Sequence, residues 1–204
     1  MDLDHLAVAG KSLEAARAYV QEALGVAMQS GGRHDIFSTH NALLGLEDGL
    51  YLEAIARDPD APAPTRPRWF DLDRFEGPPR LVNWICRTSD LSATLAALPA
   101  GLGPPVDLRR DALRWRMAVP EDGILPFDNR APALIEWQAG GHPCEVLKAS
   151  GVSLRRLTLL HPHAEALKRL LKVALEDQRV MIERGPNAIH AEFLTPHGTR
   201  TLSG

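Results

Sequence analysis

The sequence predicts an α+β fold: paired βαβββ modules form a curved mixed sheet around a concave cleft, with a third, partial βαββ unit at the C-terminus. Three observations predict it. An apolar strand running into a helical pattern occurs twice, at Leu3–Val8 ahead of Ser12 and at Leu81–Cys86 ahead of Asp90; aligning Leu13 with Leu91 gives an offset of 78, which sets Asn83 opposite His5. The closing strands also match, since Leu50–Ile55 and Ala133–Gln138 each carry one carboxylate, Glu53 or Glu136, in an apolar run. Finally, Leu154–Leu160 starts the same pattern again, with a helix expected over 162–177. Repeated βα-hairpin units of this kind pair their sheets around a shared concave face.

In chain order, the first module spans 1–57. It has a strand at 2–9 and a helix at 12–24 with Ser12 as N-cap and Gly25 as stop. Gly31-Gly32 follow as a turn, then a strand at 41–46, the tight turn Glu47-Asp48-Gly49 and a strand at 50–56. A Pro-rich connector spans 58–79, and its Trp69, Phe70, Leu72 and Phe75 are too apolar for a free linker. The second module, 80–140, has a strand at 80–87, a helix at 90–98, turns from Pro99 to Pro105 and at Glu121-Asp122-Gly123, and strands at 113–119 and 132–138. The C-terminal unit, 150–204, adds strands at 179–184 and 188–194 and a turn at Pro196-His197-Gly198.

Composition narrows the function. The chain has 204 residues, 45% of them hydrophobic, and a formal net charge of −3 with scattered arginines, so nucleic acid is not an expected partner. No apolar run is long enough to span a membrane and the N-terminus enters a strand directly, which gives the expectation of a cytoplasmic protein with no membrane partner. Cys86 and Cys144 form no CxxC pair; Cys86 reads as a buried strand residue and Cys144 as a free loop thiol beside His142.

A carboxylate inside an apolar strand is costly unless a cation or donor meets it. Glu53 and Glu136 either project outward from their strands or share an inward partner, and their matched places favour the partner. Alternation puts His5 on the face opposite Asp4, Leu6 and Val8, hence toward the cleft. His34 and His40 flank the second strand as candidates for a ligand or a general base, and Arg33 suits an anionic substrate group. Thr39 and Asn41 either orient a substrate or cap the strand, and Gly31-Gly32-Arg33-His34 also reads as a plain turn. His161-Pro162-His163 with Glu165 reads as a helix start, and His142, His190 and His197 read as structural.

Three segments resemble the vicinal oxygen chelate superfamily, and within it the glyoxalase-like domain branch: Leu3–Val8 with Leu13-Glu14-Ala15-Ala16; Gly31-Gly32-Arg33-His34 with Thr39, Asn41 and Leu43–Leu46; and Tyr51-Leu52-Glu53 with Ile135-Glu136-Trp137. The resemblance covers about residues 2–140 and implies a divalent metal, Fe²⁺, Mn²⁺, Zn²⁺ or Ni²⁺, at His5, Glu53, Asn83 and Glu136. Asn83 stands where His or Gln is more usual, which leaves His5, Glu53 and Glu136 as the expected ligands. It further implies a metal-dependent lyase, isomerase or dioxygenase for a small oxygen-bearing substrate, in which Glu53, Glu136 and His34 are catalytic and Arg33, Thr39, His40, Asn41 and Asn83 bind substrate. The alternative is a metal-independent binding or sequestering protein of the same fold. Members commonly pair, so a homodimer is expected, with Trp69, Phe70 and Phe75 covering an interface or the cleft mouth.

Overall fold

The computed structural model describes residues 1–98, 101–171, 174–175 and 177–204. The first module folds as β1 (Asp2–Ala9), α1 (Leu13–Leu24), β2 (Gln29–His34), β3 (Thr39–Gly45) and β4 (Tyr51–Arg57). Ser12 Oγ accepts the Ala15 N–H at one end of α1, and Gly25 takes the left-handed conformation (φ 74°) at the other, returning its N–H to Gln21 O. Such caps are each worth about 1 kcal/mol. Ala16, Val20 and Leu24 form the buried stripe of α1. After the connector come β5 (Arg80–Arg87), α2 (Leu91–Ala97), β6 (Pro105–Arg110), β7 (Leu113–Ala118), a distorted turn, α3 (Pro126–Asn129), and β8 (Ala133–Ala139).

These strands make one sheet in the order β2-β3-β4-β1-β5-β8-β7-β6, whose two halves mirror each other. Leu6 faces Trp84 in the antiparallel β1–β5 pair, and these residues are themselves 78 positions apart, so a pseudo-two-fold axis passes between them. The sheet is curved and nearly closed: β2 and β6 approach each other, and the stem of Arg110 packs on Gly32 where a Cβ would collide with it. Gly31-Gly32, expected as a turn, lie inside β2, with a register shift between Ser30 and Arg33. Gly31 fits for the same reason, because a Cβ there would overlap the Asn41 side chain.

The C-terminal unit is β9 (Ser153–Leu160), α4 (Ala164–Leu171), β10 (Val180–Glu183), β11 (Ala188–Thr195) and β12 (Gly198–Ser203). Positions 172, 173 and 176 of the helix expected over 162–177, and positions 99 and 100 of the turn expected from Pro99, lie outside the described residues. Its strands form a separate sheet in the order β10-β9-β11-β12. The opening strand pairs in parallel with the second strand here, whereas in the first module it pairs in parallel with the fourth, so this unit shares the element order of a module without its pairing. It contacts α1 and β5 from outside the barrel.

Trp69, Phe70 and Phe75 of the connector are all buried, and of the two places expected for them, an interface or the cleft, Trp69 and Phe70 take the cleft. No helix among the described residues is long and apolar enough to cross a membrane.

Candidate active-site cleft

The ladders decide which residues of the two halves are equivalent. β1 pairs with β4 so that Ala7 faces Glu53, and β5 pairs with β8 so that Ile85 faces Ala133. Since Ala7 and Ile85 are the residues related by the offset of 78, Glu53 matches Ala133 and not Glu136. The expected equivalence of Glu53 and Glu136 is corrected accordingly. Ile135 and Trp137 face the cleft, so alternation turns Glu136 to the outer surface. There its Oε2 accepts the Leu91 N–H at the start of α2 (2.7 Å) and pairs with Arg116 (2.7 Å). Burial pushes this carboxyl up, but the bonds from Leu91 and Arg116 outweigh it and hold it below its ordinary value. Glu136 is thus an anchor for α2, outside the cleft.

The cleft is lined by His5, His34, Asn41, Tyr51 and Glu53 from the first half, and by Arg110, Trp115, Met117, Ile135 and Trp137 from the second, with Trp69 and Phe70 of the connector. His5 faces it as alternation predicts, but Asp4 does not point away: the β1–β5 register shifts between Leu3 and His5, and the Asp4 carboxylate lies against the His5 ring, Oδ1 to Nδ1 2.5 Å. Asp4 Oδ2 accepts from Trp137 Nε1 (3.1 Å) and meets His142 Nε2 (3.0 Å). His142 Nδ1 accepts the Cys144 N–H, so its Nε2 carries the proton that goes to Asp4. Burial would raise the Asp4 carboxyl, yet the hydrogen bonds and charges of His142 and His5 hold it well below the usual carboxylate range. An ionised carboxylate only accepts, so the His5 proton resides on Nδ1, and Nε2 presents its lone pair to the cleft. The Tyr51 ring stacks on His5 at 4.2 Å and fixes its plane. Burial, followed by the charges of Asp4 and Glu53, raises the Tyr51 hydroxyl well above its ordinary value and keeps it neutral.

Across from His5, Glu53 Oε2 sits 3.8 Å from Nε2, while Oε1 accepts from Asn41 Nδ2 at 2.6 Å. Asn41 Oδ1 takes the Gly32 N–H (2.8 Å) and Arg110 Nη1 (3.3 Å). His34 Nε2 faces Asn41 Nδ2 and Arg110 Nη1, each at 3.4 Å; both are donors, so Nε2 accepts and Nδ1 donates to Thr39 Oγ1 at 3.1 Å. His34 is fully enclosed, and burial, reinforced by the Arg110 charge, lowers it to about 3. With Nδ1 on Thr39 and Nε2 facing Asn41 and Arg110, both ring nitrogens are engaged, and His34 orders Asn41 and Arg110 in place of the general-base role expected of it.

Two other expected residues lie elsewhere. Arg33 alternates outward from β2 to Asp58 (2.9 Å) and Asp60 (3.3 Å), and His40 alternates outward from β3 opposite Ala56. Asn83 is inward, in the row Glu53–Ala7–Asn83, fully buried, and neither amide atom has a hydrogen-bond partner among the described residues. Thr39 and Asn41 stay with the site, through His34 and Glu53 respectively.

Sequence reasoning missed Asp4, His142 and Arg110. Asp4 was hidden by a bulge that alternation cannot foresee. His142 and Arg110 arrive from the second half by tertiary contact alone. Cys144 is a free thiol whose Sγ contacts Leu50 O, and burial pushes it up to about 11, so no thiolate nucleophile forms beside His142.

The four-ligand metal chelate implied by the resemblance does not fit these residues. His5 and Glu53 face each other, but Ala133 offers no donor at the matched position of β8 and Glu136 is engaged on the other surface. Among the described residues no group of three or more His, Cys, Asp or Glu side chains is placed to hold an ion.

No curated protein matches the sequence. Among solved structures, a hypothetical protein from Staphylococcus aureus is similar over 99% of this chain and 84% of its own, with a TM-score of 0.59 and 13% identity, which shows a shared fold. A methylmalonyl-CoA epimerase from Mycobacterium tuberculosis matches 68% of this chain and 88% of its own with 18% identity, at a TM-score of 0.45. A family model described as a glyoxalase-like domain matches residues 3–175, from β1 through both halves of the barrel into the C-terminal unit. The extent of that match leads to one conclusion: the chain belongs to the glyoxalase-like domain family.

Proposed function

We propose that the protein moves a proton on a small carboxylate-bearing molecule held in the cleft, with His5 as the base, Glu53 as its acid–base partner and Arg110 as the anion anchor. The observation that carries this is the Asp4–His5 pair, which fixes the imidazole with its Nε2 lone pair facing the cleft and Glu53. His5 Nε2 takes a proton from the carbon beside a carbonyl or carboxyl group, and the electron pair of that C–H bond moves onto the oxygen. Asp4 stabilises the imidazolium that forms, and Arg110, a half-buried guanidinium with no carboxylate partner among the described residues, offsets the charge on the oxygen. Return of the proton by His5, or its passage from His5 to Glu53 and from Glu53 back to the carbon, regenerates the resting site.

The test is NMR-detected exchange of carbon-bound hydrogen for deuterium in D₂O, using short 2-oxo and 2-hydroxy carboxylic acids. Exchange by the wild type that falls about 100-fold or more in His5→Gln is the expected result. Absence of both binding and exchange across the series overturns the proposal. A second reading, a metal-assisted reaction, has one observation in its favour: at 3.8 Å, His5 Nε2 and Glu53 Oε2 are close enough to contact one ion. Calorimetric titration with Mn²⁺, Zn²⁺ and Fe²⁺ separates the two readings. Exchange that persists after chelator treatment supports proton transfer by the side chains; tight metal binding, with exchange abolished by chelator, supports the metal.

A further inference from the structure

The cleft is nearly filled by its own walls. Its free space is about 30 Å³, room for one or two waters and too little for an organic acid, so a ligand is admitted only where the walls part. Most of the wall is fastened. Neighbouring strands from β2 round to β6 are joined by ladders. The connector rings are held by stacking, Trp69 on Phe37 at 4.2 Å and on Phe70 at 5.4 Å, and by the Asp71 N–H bond to Gly123 O at 3.0 Å. The segment that brings Pro143 to the cleft is held by His142 on Asp4 (3.0 Å) and by Cys144 Sγ on Leu50 O (2.8 Å). The seam between β2 and β6 is different. Among the described residues β2 pairs only with β3 and β6 only with β7, so no strand ladder crosses it. What crosses it is Arg110: its stem covers Gly32, and its Nη1 stands 3.3 Å from Asn41 Oδ1 and 3.4 Å from His34 Nε2, both longer than a usual N–H hydrogen bond. Gly31 and Arg109 on either side are exposed, so the seam faces solvent.

We infer that the seam between β2 and β6 is the entrance to the cleft and that Arg110 is its latch, released when the guanidinium trades Asn41 and His34 for the carboxylate of an incoming acid. This rests on the carboxylate reading above. The two acceptors that Arg110 leaves are neutral, whereas a carboxylate offers the same fork a charged partner with two oxygens, so the exchange is favourable. A neutral molecule of the same size offers no such exchange and leaves the seam closed. Gly32 has no side chain, so the arginine stem leaves β2 with nothing to catch on. Arg110 thereby decides which ligands are admitted, in addition to holding one once it is bound.

The experiment is carbethoxylation of histidine by diethyl pyrocarbonate on the full chain, followed residue by residue in peptide masses, with the exposed His197 as internal reference. His5 is buried in the cleft with its Nε2 lone pair turned inward, so its rate reports how often the entrance opens. In Arg110→Ala that rate relative to His197 should rise at least about tenfold, since both contacts across the seam are gone. Arg114→Ala, which loses only bonds to Asp111 O and Leu113 O within its own hairpin, should leave the rate within about twofold. An unchanged His5 rate in Arg110→Ala overturns the latch. So does a rise shared by His161, which is buried in the C-terminal unit and reports general loosening. Butanoate and butanamide then test what releases it. Protection of His5 by butanoate in the wild type but not in Arg110→Ala, with none by butanamide in the wild type, upholds release by an anion, and equal protection of the wild type by both overturns it. If Arg110→Ala frees His5 but no acid protects the wild type, the entrance stands and the carboxylate reading fails.

Discussion

The two halves of the barrel share a backbone and differ in what they turn inward. In the first half the cleft face carries His5, Asn41 and Glu53; the matched positions of the second carry Asn83, Met117 and Ala133. The first half therefore holds a connected polar network, whereas the second contributes aromatic and aliphatic walls and Arg110. Both halves are needed to close the barrel, and on the proton-transfer reading the base and its partner lie in the first half while the anion anchor comes from the second.

The largest effect that sharpens this contrast is expected at Glu53. Glu53→Gln retains the shape and an oxygen for Asn41 but removes the charge beside His5, so D₂O exchange should fall by roughly 100-fold, while Ala133→Ser, its match in the other half, changes the rate by less than about threefold. Comparable losses at both positions, read as exchange rates at saturating acid, would mean that β8 shares in the proton transfer.

Much of this frame was legible in the sequence. The offset of 78 was visible in two strand–helix openings, and it is the number that pairs Leu6 with Trp84 across the pseudo-two-fold. Strands β2 and β6 were not legible, because the glycines that let Asn41 and Arg110 pack against β2 look like a turn, and β6 starts at Pro105 within a Gly- and Pro-rich stretch. Within the site, His5, Glu53 and Asn41 followed from alternation and the resemblance. Glu136 did not, because an apolar run around a carboxylate reads the same whether the carboxylate faces a cleft or a helix N-terminus. Only the register with β5 distinguishes these, and register is a property of two strands.

A smaller effect concerns the network that one half has and the other lacks. His34 is neutral and accepts from donors, and burial with the Arg110 charge lowers it from 6.5 to about 3. A histidine lowered on folding binds more protons unfolded than folded between those values, so its contribution is complete above pH 6.5 and is lost as pH falls toward 3. Urea unfolding of the wild type should lose stability across that window by up to several kcal/mol, and His34→Gln should flatten the slope. Equal slopes for the two proteins would place the acid sensitivity in another group.

The smallest effect tests the residue that most resembles a site residue by sequence. Glu136→Gln removes the ion pair to Arg116 and weakens the bond to the Leu91 N–H, which should cost about 1 kcal/mol in urea unfolding. Glu136 titrates below its ordinary 4.5 when folded, so its contribution is present above pH 4.5 and fades as the pH drops below it, and the gap between wild type and variant should close there. Because its side chain lies on the outer surface against α2, exchange on the bound acid should proceed at the wild-type rate. A large loss of exchange with little change in stability would mean that the carboxylate reaches the cleft, and the contrast drawn between inward Glu53 and outward Glu136 would then have to be abandoned.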